Sequence, residues 1–409
     1  MLMAGEASGD LLAAELVSAL REKIPSSPRF LGAGGPKMAA VGVELAFDLT
    51  RHSVIGVSDV LKNYFKFRRL FNQLLQLAID QKPDAIIGVD YGGFNLRFGH
   101  AIKQYVRKHP DGWNPKIIQF VSPQVWASRP GRADRLAADY DLLLSIFPFE
   151  KDWYVRRVPQ LRVEFVGHPM IDRFILEGQV PRAPMPEKPG SPGDRPTEIL
   201  LLPGSRKSEL QRHLPPMLRA LDLIQDQFPE VRAKMVLPNL ELKKELVISM
   251  NRISKELSRR GRKLGLNSMP SAPENSSRNI EFQIGNLPQA LRQAEIAIAS
   301  TGTVTMECAF FGVPTVTLYK TSWLTYEIAR RIVTVKSLTM PNLLAKEEIF
   351  PEFVQDAATP ENIAGAALAL LQNEPRRQKI KSQLAKIIAT LGEPGAAKRA
   401  AGAIAQLFA

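Results

Sequence analysis

Residues 84–95 read DAIIGVDYGGFN, and this stretch decides how the rest of the chain is interpreted. The apolar run Ala85–Val89 has the length and composition of a buried strand, and Asp90 follows it in a loop with Gly92 and Gly93. In an open α/β sheet, ligands bind outside the carboxyl ends of the strands, so Asp90 is a candidate catalytic base. The alternative is an aspartate that caps the next helix or closes a turn.

Strand-like runs alternate with amphipathic helical patterns along the chain, which is typical of a parallel, doubly wound sheet. Prolines and glycines concentrate in residues 177–197, so we predict a linker or surface loop there. The predicted fold is α/β, with Rossmann-like domains at residues 1–176 and 198–374 and a helical tail at 375–409 that packs back on the first domain. The predicted strands are residues 1–4, 29–32, 85–89, 116–121, 142–147, 163–166, 198–202, 233–238, 280–283, 296–299 and 315–319.

Composition sets the class of protein and of partner. A chain of 409 residues exceeds one ordinary core, and 45% hydrophobic with 23% charged residues is typical of a soluble globular protein. The net charge of +13 favours an anionic partner: nucleic acid, acidic lipid or a phosphorylated substrate. No segment approaches the roughly 20 apolar residues that cross a bilayer, and the N-terminus has no signal-peptide pattern. The single cysteine, Cys308, fits a reducing compartment and a buried structural role.

Glycine-containing turns that open helices are candidate phosphate sites, because helix N-termini favour anions. One is GEASGD, residues 5–10, and another is PGSR, which places Arg206 where it could bind a diphosphate or simply pair with Glu209. A third is STGTVTME, residues 300–307, whose alternative is a well-capped helix start. GAGGP, residues 32–36, lacks the G-x-G-x-x-G spacing and is predicted to be a turn.

Two further patterns concern metals and membranes. Asp139 and Asp141 form a D-x-D triplet at the amino end of a strand, which is the wrong end for a ligand, and the histidines lack ligand spacing, so no metal is expected. Aromatic and basic residues interleave on a predicted helix and suit an anionic membrane surface, although an amphipathic helix with half its aromatics in the core is the alternative. The predicted membrane-facing residues are Tyr64, Phe65, Phe67, Arg68, Arg69 and Phe71.

Taken together, the motifs resemble those of the lipid-A-disaccharide synthases, glycosyltransferases with two Rossmann-like domains facing across a cleft (GT-B type). Their occurrence in one order is more specific than any single motif. They are AGEASGD from Ala4, GAGGPKM from Gly32, VIGVSDVL from Val54, KPDAIIGVDYGGFN from Lys82, VSPQVWASRPGR from Val121, FPFE from Phe147, FVGHP from Phe165, LLPGSRKSE from Leu201, ASTGTVTMECAFFGVP from Ala299 and MPNLLA from Met340.

The resemblance implies transfer of diacylglucosamine from a UDP donor to diacylglucosamine 1-phosphate, with inversion, giving a β-1,6 disaccharide and UDP. It implies that Asp90 is the base and that no cofactor or metal is needed, and it suggests a homodimer, cytoplasmic and peripheral on the inner membrane. The residues that match the donor-nucleotide side are Arg206, Ser300, Gly302, Thr303 and Glu307. Those that match other positions facing the cleft are Ser8, Gly9, Asn95, Ser122, Arg129 and Asn342.

The chain departs from the family pattern beside Asp90, where Gly92 and Gly93 replace a proline and an acid, so a looser loop is expected. Ser128 replaces an aromatic residue, and the first strand is short because the chain begins three residues before Ala4. These departures leave an inactive paralogue that binds glycolipid or nucleotide as an alternative, beside a UDP-N-acetylglucosamine 2-epimerase-like enzyme. Nucleic-acid binding is not expected, because no recognised module accompanies the charge.

Overall fold

The computed structural model describes residues 1–50, 64–110, 112–176, 197–263 and 280–409. The chain divides into two compact units. Each contains one parallel sheet flanked by helices, so the predicted pair of Rossmann-like domains is confirmed. The VIGVSDVL motif and the Pro-rich stretch 177–196 lie outside the described residues. The first unit comprises Met1–Gly178, Ala329–Thr334 and Thr390–Ala409, and the second comprises Gln179–Ile328 and Val335–Ala389.

The first unit has a seven-stranded sheet in the order β3-β2-β1-β4-β5-β6-β7. The order reverses between β1 and β4, which makes their carboxyl ends the topological switch point of the sheet. The strands are β1 Leu2–Ala4, β2 Leu31–Gly34, β3 Glu44–Asp48, β4 Ala85–Val89, β5 Lys116–Phe120, β6 Leu142–Ser145 and β7 Val163–Phe165. The helices between them are α1 Ala7–Lys23, α2 Pro36–Ala40, α3 Tyr64–Gln81, α4 Gly92–Lys108, α5 Val125–Ser128, α6 Arg132–Asp139, α7 Pro148–Arg157 and α8 Pro169–Leu176.

Strand β2 corrects the prediction of a turn at the GAGGP motif. Gly32 pairs with Leu2 in the sheet, and a Cβ on Gly32 would lie 1.8 Å from the Leu2 carbonyl oxygen. Glycine is therefore needed because two strands approach closely there, whereas glycine in a sequence more often signals a turn. The edge strand β3 was not predicted, because its apolar run is only three residues long and none of its residues is fully buried.

The second unit repeats the arrangement with a six-stranded sheet in the order β10-β9-β8-β11-β12-β13, and its switch point lies between β8 and β11. The three-residue edge strand β13 was also missed by the sequence. The strands are β8 Glu198–Leu202, β9 Arg232–Leu237, β10 Ile280–Ile284, β11 Ile296–Ser300, β12 Thr315–Tyr319 and β13 Glu352–Val354. The helices are α9 Lys207–Gln227, α10 Leu240–Lys263, α11 Leu287–Gln293, α12 Thr303–Phe310, α13 Trp323–Ile332, α14 Met340–Ala345, α15 Pro360–Leu371 and α16 Glu374–Ala389.

The predicted tail is divided between the units. Helix α16 belongs to the second unit, because Arg377 donates to the Leu370 carbonyl at 2.6 Å and pairs with Glu295 at 2.8 Å. The boundary predicted at residue 375 is therefore wrong for this helix. From Thr390 the chain belongs to the first unit, where α17, Ala396–Ala405, packs along α1 and Arg399 donates to the Val166 carbonyl at 2.7 Å. No helix in the described part is long and apolar enough to cross a membrane.

Candidate active site

Asp90 lies directly after β4, at the switch point of the first sheet, as expected for a residue that contacts a ligand. Asp90 and Tyr91 both adopt left-handed backbone conformations, with φ of 51° and 44°. This conformation is uncommon for non-glycine residues, especially bulky ones, and often marks functional sites. Burial raises the pKa of the Asp90 carboxyl, which moves this group toward the range useful for a general base near neutral pH.

Side-chain amides of the neighbouring elements hold the Asp90 backbone in place. The Asp90 carbonyl accepts hydrogen bonds from Asn95 Nδ2 and from Gln119 Nε2, both at 2.8 Å. Gly88 leaves the room for these amides, since a Cβ there would lie 2.6 Å from Gln119 Oε1. Asn95 is only 1% exposed, so it positions Asp90 instead of facing the cleft as the family match implied. Gln119 has the same role and was missed, because no motif singled it out.

The GEASGD loop after β1 lies against the Asp90 loop. The Tyr91 ring covers Gly5, where a Cβ would come within 2.4 Å of the ring. A Cβ on Gly9 would lie 3.6 Å from the Asp90 Cβ, so Gly9 is buried beside the candidate base, while Ser8 is exposed. The loops after β1 and β4 thus form one surface at the switch point.

The glycines after Asp90 form the first turn of α4. Gly92 starts the helix near Pro123, to which an added Cβ would come within 3.2 Å. At Gly93 an added Cβ would meet no atom within 4 Å, which means that an acid at this position would point into open space. Both departures from the family pattern therefore lie in the first turn of α4, after the loop that carries Asp90.

Asp10, the last residue of GEASGD, has a structural role that the sequence did not reveal. Its buried carboxylate accepts backbone N–H bonds from Gly35 at 2.8 Å, Lys37 at 2.9 Å and Met38 at 3.1 Å. These donors are the free amides at the start of α2, so Asp10 on α1 caps the helix of the next βα unit. These three hydrogen bonds connect the GEASGD motif to the GAGGPKM motif.

Glu150, the last residue of the FPFE motif, holds the VSPQVWASR motif in place. Trp126 Nε1 donates to Glu150 Oε1 at 2.9 Å, and Tyr154 donates its hydroxyl to the Pro123 carbonyl at 2.9 Å. Ser122 is 3% exposed and bonds to the Tyr154 hydroxyl at 3.4 Å, so it supports the loop from inside. Ser122 was expected to face the cleft, and its burial corrects that prediction.

Glu150 is predicted to make stability depend on pH. It is fully buried, and burial raises its pKa from 4.5 to about 7. The folded protein therefore keeps a proton that the unfolded chain releases, so the free energy of unfolding should fall by up to about 3 kcal/mol as pH rises through this window. Glu150→Gln should flatten this slope in urea denaturation between about pH 5 and about pH 8, whereas Asp152→Asn, at an exposed position on α7, should not. Equal slopes for the native and Glu150→Gln proteins would contradict the assignment.

In the second unit, two predicted donor-side motifs meet at the switch point, because β8 and β11 are neighbours in the sheet. PGSR follows β8, and STGTVTME follows β11 and opens α12. Gly302 has a φ of 133°, and together with Thr303 it is exposed at the start of this helix. Ser300 is only 2% exposed, and Glu307 is partly buried. The arrangement presents free amides and a positive helix end at the edge where ligands bind in this fold.

Glu209 organises the PGSR loop. Its carboxylate accepts from the Ser205 amide at 3.1 Å and pairs with Arg206 Nη1 at 2.9 Å. The Arg206 side chain is 41% exposed, so the guanidinium stays accessible from solvent. Buried His213 supports the same loop by bonding the Pro203 carbonyl at 2.8 Å through Nδ1, and burial lowers its pKa.

Asn342 is not available to a ligand, although the family match implied that it faces the cleft. It is 1% exposed, and its amide nitrogen donates to the Phe350 carbonyl and to Glu352 Oε1. Its oxygen accepts from the amides of Ile349 and Phe350, each at 2.8 Å. An amide group makes at most four such bonds, so Asn342 serves the fold of the second unit.

The carboxylates of the D-x-D triplet bond to neighbouring elements. Asp139 is buried 2.7 Å from His100 Nδ1, and Asp141 accepts from Lys103 Nζ at 3.1 Å and from the Ile117 amide at 2.8 Å. Asp139 therefore connects α6 to α4, and Asp141 connects α4 to β5. In the described residues, His, Cys, Asp and Glu side chains form no group of three that could hold a metal ion.

The basic aromatic segment forms the first turns of α3, but its aromatic residues differ in environment. Phe65 is 81% exposed, and Arg68 and Arg69 are exposed beside it. Phe71 instead packs edge-on against Phe94 and Phe98, with ring centroids 5.4 and 5.6 Å apart, and belongs to the core. Phe71 is therefore not membrane-facing. The Tyr64 side chain lies outside the described residues, and Phe67 is partly buried.

Comparison with known proteins shows to which family the chain belongs. The family model for lipid-A-disaccharide synthetase matches residues 1–261 and 272–407. The chain belongs to this family. The lipid-A-disaccharide synthase of Trichlorobacter lovleyi is 33% identical over 407 residues, covering 99% of this chain and 96% of the relative, and that of Alcanivorax borkumensis is 31% identical over 408 residues, covering 100% and 97%. The family and the glycosyltransferase class predicted from the motifs are confirmed.

Solved structures show the same fold at low identity. A UDP-GlcNAc 2-epimerase from Methanocaldococcus jannaschii, in complex with UDP-GlcNAc and UDP, matches with a TM-score of 0.57 and 11% identity over 99% of each chain. A putative UDP-N-acetylglucosamine 2-epimerase from Listeria monocytogenes matches with a TM-score of 0.55 and 16% identity, covering 100% of this chain and 95% of that one. At these identities the likeness concerns the GT-B-type fold alone.

Proposed function

We propose that this protein condenses UDP-2,3-diacylglucosamine with 2,3-diacylglucosamine 1-phosphate to the β-1,6-linked disaccharide 1-phosphate and UDP, with inversion. The observation that carries the proposal is that, in a chain of this family, each of the two units has a switch point with groups suited to one part of the reaction. One presents a buried-type carboxylate, Asp90, and the other presents an anion-binding helix end with Arg206.

In the proposed reaction, Asp90 removes the proton from the 6-hydroxyl of the acceptor as that oxygen attacks the anomeric carbon of the donor. The bond from this carbon to the UDP oxygen breaks, and attack from the opposite face inverts the configuration. The Asp90 carboxylate needs a fixed position to do this, and the bonds from Asn95 and Gln119 to its backbone supply one.

The negative charge that develops on UDP would be met in the second unit. The amides at the start of α12, near Gly302 and Thr303, and the guanidinium of Arg206 are suited to a diphosphate. Glu307, one turn into α12, is proposed to hold the ribose. No metal is required in this proposal, and its test is turnover in the presence of a chelator. A requirement for an added divalent cation would overturn that part.

The proposed function is tested by incubating the native protein with both glycolipids and detecting disaccharide by mass spectrometry. Formation of the disaccharide and UDP in equal amounts is the expected result. If no product forms while UDP still binds in calorimetry, the result favours an inactive paralogue that binds nucleotide without turnover. Conversion of UDP-N-acetylglucosamine without any acceptor would instead favour an epimerase-like activity. UDP-GlcNAc 2-epimerases are among the solved structures that have the same fold.

A peripheral position on an anionic inner-membrane surface is part of the proposal, supported by exposed Phe65 beside Arg68 and Arg69. Phe65→Ser is expected to weaken binding to vesicles containing phosphatidylglycerol about tenfold, because a buried aromatic side chain contributes roughly 1.5–3 kcal/mol. Cosedimentation measures this, with Phe408→Ser, 49% exposed in the native protein, as the control. Unchanged binding of Phe65→Ser would remove the support for the peripheral membrane position.

The homodimer suggested by the family remains a proposal for light scattering to test.

A further inference from the structure

Four arginines of the first unit form a basic cluster that the reaction above does not use. Arg97 lies on α4, and Arg129, Arg132 and Arg135 lie on and just before α6. The two helices are side by side, as shown by the 2.7 Å contact between His100 Nδ1 and the Asp139 carboxylate. All four arginines are exposed. Arg132 and Arg135 are three residues apart on α6 and therefore share one side of this helix. Arg129 lies just before the helix, and its carbonyl accepts from the Arg132 amide at 2.9 Å.

Among the described residues, this cluster lacks the acidic partners that other arginines of the protein have. Arg29 and Arg162, for example, pair with Glu44 and Glu164. In the described part of the chain, none of the four cluster arginines forms an ion pair, although Asp134 is exposed on the same helix. The pKa of Arg132 is lowered first by burial and then by repulsion from Arg129, Arg97 and Arg135. A set of like charges held together without counter-charges is suited to an anion from outside.

The position of the cluster relates it to Asp90. Arg97 follows Asp90 in the first turns of α4, about 8 Å along the helix from Gly92 at 1.5 Å per residue. Arg129 ends the loop that follows β5, and β5 is the neighbour of β4 in the sheet. Arg129 therefore lies at the carboxyl edge of the sheet that carries the candidate base, and Arg97 lies in the second turn of the helix that starts at this edge. Both belong to the unit to which the resemblance assigns the acceptor.

We propose that Arg97, Arg129, Arg132 and Arg135 bind the 1-phosphate of the acceptor sugar. This inference rests on the proposed function and adds the group by which the acceptor is recognised. The acceptor carries a phosphate monoester on C1, and the hydroxyl that reacts is on C6, which is attached to C5 on the other side of the ring oxygen. The donor diphosphate is assigned to the other unit. The planar fork of the guanidinium binds phosphate oxygens in pairs, and several forks on adjacent helix turns would orient the ring so that its 6-hydroxyl meets Asp90.

The kinetic test compares two acceptors, diacylglucosamine with and without the 1-phosphate. For Arg97→Gln and Arg132→Gln we expect the KM of the phosphorylated acceptor to rise about 10–100-fold, with the KM of the UDP donor unchanged and the phosphate-free acceptor used as well as by the native protein. Arg156→Gln, at an exposed position on α7, is the control and should change neither acceptor. Equal losses with both acceptors would overturn the proposal.

A binding test without donor separates this inference from the proposed function. Soluble glucosamine 1-phosphate is titrated into the native and variant full-length proteins in a calorimeter. Binding by the native protein that is lost in Arg97→Gln and Arg132→Gln supports the phosphate site, even if the native protein makes no disaccharide, which would refute the proposed function alone. No binding by the native protein, or equal binding by the variants, counts against the site. Weaker cosedimentation of the variants with phosphatidylglycerol vesicles, without discrimination between acceptors, would assign the cluster to the lipid surface and overturn the proposal.

Discussion

Asp90→Asn is expected to lower turnover by about 10²–10⁴-fold, the range that a general base contributes. Asparagine keeps the size and the left-handed backbone tolerance of aspartate, so the bonds from Asn95 and Gln119 to the backbone of residue 90 can persist. UDP binding, assigned to the second unit, should be unchanged in calorimetry. Loss of turnover with retained UDP binding would identify the missing carboxylate, and not a misfolded chain, as the cause.

The matched control is Asp84→Asn, an exposed acid immediately before the amino end of β4, which should turn over like the native protein. The pH profile gives a second measurement. Burial raises the Asp90 pKa, and a base must be deprotonated, so the acid limb of kcat/KM should lie above the ordinary aspartate range near about 3.9. Native-like turnover by Asp90→Asn would show that another group takes the proton.

Asp10→Ala is expected to destabilise the first unit by about 3–5 kcal/mol, because hydrogen bonds to a buried charged group contribute about 1.5–3 kcal/mol each and are not additive. The substitution leaves the amides of Gly35, Lys37 and Met38 without their acceptor at the start of α2. The measurement is urea denaturation followed by tryptophan fluorescence. Three tryptophans of the first unit, Trp113, Trp126 and Trp153, report on its unfolding, and Trp323 lies in the second unit.

Glu22→Ala provides the control on the same helix. Glu22 pairs with Lys398 at 3.3 Å, but the two side chains are 66% and 75% exposed, and such surface pairs contribute about 0–1 kcal/mol. Asp10→Asn should fall between the native protein and Asp10→Ala, because an amide can accept through only one of its two terminal atoms. A change below about 1 kcal/mol for Asp10→Ala would show that α2 is held by other contacts.

Much of the architecture could be predicted because it depends on local patterns. Continuous apolar runs such as Ala85–Val89 identify strands buried on both faces, and their alternation with helical periodicity identifies parallel sheets. The same reasoning predicted β2 at residues 29–32 and took its glycines for a turn, although they serve close strand contact in Leu31–Gly34. It missed β3 and β13, which are short and have no fully buried residue. The predicted boundary of the tail was wrong for a different reason. The unit to which α16 belongs depends on its contacts with residues distant in sequence, such as Glu295.

For the site residues, too, the sequence identified some features and only the structure showed others. Motif matching selected Asp90 and Arg206 together with Ser122, Asn95 and Asn342, because a pattern of letters does not distinguish a group that contacts ligand from one that holds the loop beneath it. The structure separates them by burial and bond count: Asn342 uses all of its amide bonds internally, whereas Arg206 stays accessible. Asp10, Gln119 and Glu150 were missed because each acts on an element distant in sequence.

The sequence by itself determined that the stretch 84–95 contains a buried strand, Ala85–Val89, followed by the carboxylate of Asp90. Strand burial and turn formation follow from neighbouring residues. Its family was likewise readable from the order of motifs. Only the tertiary structure decided that Asp90 stands at the switch point between β1 and β4, and that four arginines from two helices lie together with no acidic partner among the described residues. Strand order and helix packing bring these residues together from separate segments, and no local pattern in a chain encodes which distant segments become neighbours.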